Sequence, residues 1–494
     1  MKKLYKHISI TLIAACMVAC DISDFDDINV NPNATNEPNA AILLTNGIVF
    51  SNNVDFNIAS TVYATQGQLY VQYLANSQYT SADTYQNVQF SYNTFYNGPL
   101  TDLQKVIELN TDEETKVFAD DYGSHANQIA VAKILQAYYF LHITDRWGDI
   151  PYSEALQAEQ GILTPKFDPQ REVYNGIMAT LKEATAMIDG GAGPTGDALF
   201  AGDMDRWEKF ANTIRLVAAL RLSEVDEERA RSEFVAAMND GVIALDNSEN
   251  IMFRHFAEQN HDNRWQDRFE TRRDYTVANT LVDYMQSTAN GGMMNVMMDP
   301  RLPVFADPTE STGGFVGMVY GVNEAEAGDI SNSDVSFLGN ALRVQDAPTY
   351  IYTSAQVLFS MAEAAQRGWI AGDAEQFYND AIKASLDQYG VGDEFDTFIT
   401  NEEVAFDPAR AFEQIGNQKW VALFLNGYEA WAEWRRTGYP DLVPAVAAQN
   451  KSGEIPVRQA YPVTERDLNE TNYNEVVSRQ GEDGLDTKVW WDVD

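Results

Sequence analysis

Beyond position 20 this 494-residue chain contains no cysteine, since its only two are Cys16 and Cys20. That excludes an internal disulfide, a thiolate metal site and a cysteine nucleophile from the body of the protein, so its stability must come from core burial. A chain of this length can bury roughly three quarters of the surface it exposes when unfolded. Cations are also scarce, with 34 Lys and Arg against 73 Asp and Glu and a formal charge of -39. Such a surface repels nucleic acid and gains nothing from anionic lipid headgroups. Missing as well is any apolar run near the roughly 20 residues that a spanning helix needs. No His-Glu-x-x-His zinc helix, Gly-x-Ser-x-Gly elbow or Walker loop is present, nor a Gly-x-Gly-x-x-Gly at a strand-helix junction. His125, His142, His255 and His261 are scattered without metal-ligand spacing, which suits solvated or hydrogen-bonded histidines. With so many acidic residues, carboxylate pairs arise at every spacing by accident and do not signal a glycosidase.

The N-terminus carries the strongest local signal. Lys2, Lys3 and Lys6 precede the apolar run Ile8 to Ala15, and Met17-Val18-Ala19-Cys20 closes it. A basic start, a run of roughly 7 to 15 apolar residues and small residues before the cut are the anatomy of a secretory signal. A cysteine just after the cut makes it a lipoprotein signal, with residues 1–19 removed and acyl chains on Cys20. Ile13-Ala14-Ala15-Cys16 offers a second cut. Losing three lysines takes the formal charge from -39 to about -42. Residues 20–38, acidic and rich in turn-formers, read as an extended tether.

From Asn39 to the end the pattern is that of one helical body. Val173, Ile177, Leu181, Ala184 and Ile188 form an apolar stripe at helical spacing, as do Trp207, Phe210, Ile214 and Val217, while Ala374, Phe377, Ala381 and Ser385 form a stripe of smaller residues. Helix stops are expected at Trp147-Gly148 before Pro151, at Arg367-Gly368 and at Gly438 before Pro440, because Gly caps a helix in the left-handed region and Pro blocks its continuation. Residues 299–347 and 51–100 are rich in Gly, Asn, Ser or Tyr with little periodicity and read as long ordered excursions. Trp420, Phe424, Tyr428 and Trp431 fall at steps of four, four and three, the spacing of a buried helix face. Arg435 and Arg436 are expected to cap carbonyls and pair with Glu429 or Glu433.

A collinear series of segments resembles the SusD/RagB family of nutrient-binding outer-membrane lipoproteins, in its SusD-like subgroup. The series runs from Asp26-Asp27-Ile28-Asn29 and Asn31-Pro32-Asn33, through Trp147-Gly148-Asp149-Ile150-Pro151-Tyr152 and Trp207 with Asn212, Arg215 and Arg221, to Asp299-Pro300-Arg301-Leu302-Pro303. It continues with Ala362-Glu363-Ala364-Ala365, Glu429 to Pro440, Pro456-Val457-Arg458, Tyr461-Pro462 and Val489-Trp490-Trp491-Asp492. The resemblance implies a mainly α-helical body with tetratricopeptide-like helix hairpins and long irregular ligand-binding loops. It further implies a non-catalytic receptor on the outer face of the outer membrane, forming a lid on a SusC-like TonB-dependent barrel transporter and delivering an oligosaccharide or oligopeptide to it. A lid that only gates its barrel is the third alternative.

A sugar ring offers an apolar face that stacks on aromatics and hydroxyl edges that need amide, carboxylate or guanidinium partners. Aromatics in polar loops are therefore the candidate ligand residues. Tyr79, Tyr85, Tyr96 and Asn97 lie in one such stretch, and Asn263, Arg264 and Trp265 in another. No cofactor motif is present, although the carboxylates of Asp112-Glu113-Glu114 and Asp120-Asp121 make calcium a candidate without an EF-hand register. If Cys20 is the anchor, radiolabelled palmitate will enter the protein and external protease will degrade it on intact cells; failure of either removes the surface-anchored receptor.

Overall fold

The computed structural model describes residues 39–54, 65–88, 90–286 and 297–493. The lipidation assignment at Cys20 and the 20–38 tether lie outside the described residues. Helices α1 (Ala40–Val49), α2 (Thr101–Thr111), α3 (His125–Trp147), α4 (Gln170–Met187), α5 (Met204–Arg221) and α6 (Glu227–Asp240) make up the first half. Helices α7 (Ser354–Gln366), α8 (Ala374–Gln388), α9 (Ala411–Ala422), α10 (Gly427–Thr437) and α11 (Glu470–Gln480) make up the second. Neighbours in sequence pack as hairpins: α2 on α3, α3 on α4, α5 on α6, α7 on α8 and α9 on α10. The fold is thus mainly α, as expected, and residues 40–494 form one compact unit. Strands are short and paired in twos. They are β1 (Leu74–Asn76) with β5 (Tyr275–Val277), β2 (Ile150–Pro151) with β3 (Phe167–Asp168), and β4 (Ile251–Phe253) with β6 (Thr349–Tyr352). Among the described residues no helix is long and apolar enough to cross a membrane.

The central element is α3, whose apolar residues occupy nearly every side and which is accordingly buried almost throughout. It stops where the sequence places the stop. Gly148 adopts a φ of +82°, and its amide donates to Thr144 O at 2.7 Å. A side chain there would also meet Gln480 Oε1 at 2.1 Å, so both conformation and space require glycine. Gln480 in turn accepts from the Asp149 amide and donates to Trp147 O, which fastens α11 to this corner. Trp147 is fully buried and its indole donates to Ala460 O.

The α4 and α5 stripes face the core as read, with Ile188 capping α4 rather than lying in it. On α8 the buried face is centred one position over, on Tyr378, Ala381, Ile382 and Ser385, while Phe377 is half-buried. Trp420, Phe424, Tyr428 and Trp431 are all buried but do not share one helix. The chain breaks between α9 and α10, where Leu425 takes a φ of +68°. Spacing alone cannot see a tight turn that keeps the aromatic side facing inward. The described residues of both excursions are irregular, and 299–347 holds only single-turn helices.

A buried ion network ties α3, α5, α7, α9 and α10 together. Arg221 meets Asp145 at 3.1 Å and Glu429 at 2.6 Å, Arg436 meets Glu363 at 2.6 Å and Glu433 at 2.8 Å, and Lys419 meets Glu433 at 2.7 Å. Burial alone would raise the carboxyls of Glu363 and Glu433, but Arg436 beside both holds them below the ordinary carboxylate range. Arg436 thus pairs with Glu433 as the sequence suggests. Arg435 instead lies over the rings of Trp431 at 3.7 Å and Trp491 at 4.6 Å and donates to backbone carbonyls. Arg436→Met strips a shared guanidinium from two buried carboxylates, leaving Glu433 with Lys419 and Glu363 with Arg367, and is expected to cost about 3 kcal/mol in denaturant unfolding. The wild-type contribution is present above the ordinary carboxylate pKa and fades as acid titrates the two folded carboxyls. A loss below about 1 kcal/mol at neutral pH would show that the network does not hold the body together.

Candidate functional site

Where the helix hairpins meet the irregular segments, a pocket of about 230 Å³ opens. His142 and Tyr138 reach it from α3, Gln356 from α7, Gln388 and Tyr389 from the end of α8, Tyr350 from β6 and Phe424 from the turn between α9 and α10. Asn263 and Trp265 close another side. The sequence shapes each approach. Asn263 caps the short helix Arg264–Thr271 by accepting from the Trp265 amide at 2.7 Å, while its own amide donates to Ala347 O at 2.8 Å. This double use fixes Trp265 edge-on to Tyr275, only 4% exposed. The left-handed Leu425 lets Asn426 donate to Ile351 O at 3.1 Å, binding the turn to β6.

Several polar atoms on the pocket wall have no hydrogen-bond partner among the described residues. They are Ser51 Oγ, Asn52 Oδ1, Gln356 Oε1 and Gln388 Oε1. Buried polar atoms are normally satisfied, so orphans gathered on a concave wall are places for ligand or water hydrogen bonds. Gln356 is 1% exposed and is held from behind, its Nε2 donating to Glu429 at 3.0 Å. His142 sits at the floor, edge-on to Tyr138 at 4.6 Å between ring centroids. Burial pushes its imidazole down to about 3, helped by the charges of Arg146 and Arg221, so the ring is neutral at physiological pH. A neutral imidazole can donate or accept one hydrogen bond and carries no charge.

Two other concavities differ in kind. A cleft of about 270 Å³ is lined by Glu363, Lys419, Glu433 and Arg436, whose charges already pair with one another. A shallow groove of about 600 Å³ is lined by the hydroxyls and amides of Thr80, Ser81, Thr84, Gln86, Asn323 and Gln449 together with Glu324, with no aromatic among them. The first pocket sets rings beside unsatisfied uncharged polar atoms, whereas in the cleft Phe412, Trp420 and Tyr439 stand beside charged groups.

Of the residues expected from sequence, Asn263 and Trp265 line the pocket, and Arg264 supports it by donating to Asn53 Oδ1 at 2.7 Å. The other loop lies elsewhere. Tyr79 is 39% exposed beneath the guanidinium of Arg272. Asn97 is exposed in a turn before Pro99. Tyr96 is half-buried, packs on Tyr92 and Phe140, and donates its hydroxyl to Pro151 O. Tyr85 is a correction: it is a core residue, 1% exposed, packed on Tyr70 and accepting from the Ala445 amide, so it has no free face for a ligand. A tyrosine in a polar stretch buries its ring when a distant segment, here Ala445, supplies the polar contact. The two loops do touch, since β1 pairs with β5 and Arg272 covers Tyr79, but only the second reaches the pocket.

Sequence reasoning missed His142, Gln356, Gln388, Tyr350 and Tyr389. The usable hint was His142 itself, set in the apolar and aromatic run from Ala137 to Ile143 of α3. The calcium candidates do not converge: Asp112 accepts from the amides of Glu114 and Thr115, and Asp120 faces His125 at 3.0 Å. Among the described residues no group of three or more His, Cys, Asp or Glu is placed to hold a metal ion.

A family model described as SusD-like, starch-binding associating with outer membrane, matches residues 32–462. Among solved structures, the chain is similar to a chitin-binding protein at 28% identity with a TM-score of 0.76, covering 92% of this chain and 100% of the other. It is also similar to a SusD homolog from Parabacteroides distasonis at 24% identity, TM-score 0.77, covering 93% and 98%. A chitin-binding SusD homolog from Flavobacterium johnsoniae matches at 23% identity, TM-score 0.72, covering 91% and 99%. A search of curated proteins gives no match. The neutrality of His142 has a direct readout, in that its ring proton resonances should not titrate between pH 5 and 8. Because the folded pKa is lowered, the stability this histidine contributes is complete above its unfolded value and is lost as the pH falls from there toward about 3. A midpoint near 6.5 would mean that the ring is solvated.

Proposed function

The chain belongs to the SusD-like family of outer-membrane binding proteins, and from that premise we propose that it captures an oligosaccharide nutrient and passes it to a TonB-dependent barrel transporter. The observation that carries the reading is the pocket itself. Aromatic rings, Trp265, Tyr350, Tyr389 and Phe424, stand beside orphan amide and hydroxyl atoms, the pairing that a sugar's apolar face and hydroxyl edge require. The matching family description names starch, and two similar structures are described as chitin-binding, so a glycan is the ligand class those relatives favour. Members of the family are binding proteins, which agrees with the lack of any catalytic motif in the sequence. In this reading Cys20 carries the acyl anchor, the protein faces the cell exterior and the barrel completes the import route.

An oligopeptide ligand is the second reading, but it finds less support. The acidic exterior would attract cationic peptides, whereas the described residues of the pocket wall offer them no carboxylate.

Affinity electrophoresis and calorimetry against a panel of soluble polysaccharides test the proposal. One glycan should retard the protein and give saturable heat, and Trp265→Ala or Tyr389→Ala should each weaken it by about tenfold or more through lost ring contact. Tyr79→Ala is the control. If binding is lost there and kept in the other two variants, the site belongs to the groove beside Tyr79; saturable heat from peptides alone would overturn the glycan reading.

A further inference from the structure

Acidic and basic residues make up 22% of the chain, yet among the described residues that line the pocket there is no Asp, Glu, Lys or Arg. His142 is neutral, and burial raises the phenols of Tyr350 and Tyr389 so that they stay protonated. Two of the orphan acceptors are fixed in orientation. Asn52 Nδ2 donates to Val49 O at 2.5 Å and Gln356 Nε2 to Glu429 at 3.0 Å, which leaves each amide oxygen as the atom without a partner. Glu429 lies behind Gln356, but it is engaged by Arg221 at 2.6 Å. The rest of the wall mixes apolar Val304, Leu342, Ile351 and Phe424 with the uncharged polar residues Thr349, Thr353 and Asn426.

A wall of uncharged polar groups, orphan acceptors among them, set beside apolar side chains suits a ligand that brings N–H or O–H donors and methyl groups. It opposes one that brings an ion, because a buried charge without a counter-charge loses its hydration and gains no partner. A free amine on a sugar ring is cationic near neutral pH, whereas acetylation turns it into a neutral N–H donor with a methyl group. We infer that the pocket admits only uncharged sugar units and prefers an N-acetylated amino-sugar ring to the same ring bearing a free amine. This deepens the glycan-binding reading and rests on it.

Calorimetry on the full chain at pH 6 tests this with three ligands of equal length: an N-acetylated amino-sugar oligomer, its fully deacetylated counterpart and an oligomer of glucose. The acetylated oligomer should bind at least about a hundredfold more tightly than the deacetylated one, the penalty expected for an unpaired buried ammonium. Equal affinity for these two, or saturable binding of the glucose oligomer alone, overturns the inference and leaves the glycan reading standing. No heat from any of the three, together with no retardation by any polysaccharide in the panel, is the failure of that reading itself. A charge placed on the wall gives an independent measure. Gln388→Glu, at a half-buried position where folding is readily checked by circular dichroism, should narrow the discrimination by about tenfold or more as the deacetylated oligomer gains a counter-ion. An unchanged ratio in this variant would show that ligand does not approach the Gln388 wall and would overturn the inference.

Discussion

The body of this protein depends on charges buried where apolar groups would normally lie. Arg221, Lys419 and Arg436 join Asp145, Glu363, Glu429 and Glu433 across five helices, every partner being nearly inaccessible. Such networks confer little net stability over an apolar core, but each member leaves an uncompensated charge if its partner moves. The helices are therefore held in one register. Glu429 feels this most: burial, with Glu433 and Asp145 nearby, raises its carboxyl although Arg221 opposes the shift.

The pocket inherits its geometry from that network. Glu429 Oε1 accepts from both Arg221 and Gln356, so the same carboxylate oxygen that ties α10 to α5 also orients a wall amide. Arg221, with Arg146, adds to the burial that keeps His142 uncharged. Stability and recognition thus share residues, and the pocket stays electrically neutral because the charges around it are consumed behind its wall.

Most of the architecture was legible in the sequence. Helical stripes on α4 and α5, the glycine stops at Gly148, Gly368 and Gly438, and the aperiodic excursions reflect local rules of spacing and backbone freedom. The motif residues that signal the family turn out to be largely structural: Arg301 grips Asp299, Ser385 and Gln418, and Arg458 pairs with Asp483. Their conspicuous residue types identified the fold without marking the site. The site was read in part, with Asn263 and Trp265 placed on the pocket and Tyr85 drawn into the core by contacts with Tyr70 and Ala445.

What the sequence determined alone was the class of molecule: an acidic, cysteine-poor and mainly helical body. These are properties of composition and of periods shorter than a helical turn or two. Tertiary structure decided which polar residues face a cavity. Gln356 and Gln388 look like ordinary helix residues until α7 and α8 fold against the turn at Leu425, and their orphan oxygens exist only because segments about 30 to 300 positions away meet there. Whether a polar atom is satisfied is settled by neighbours distant in the chain, and no local pattern encodes that.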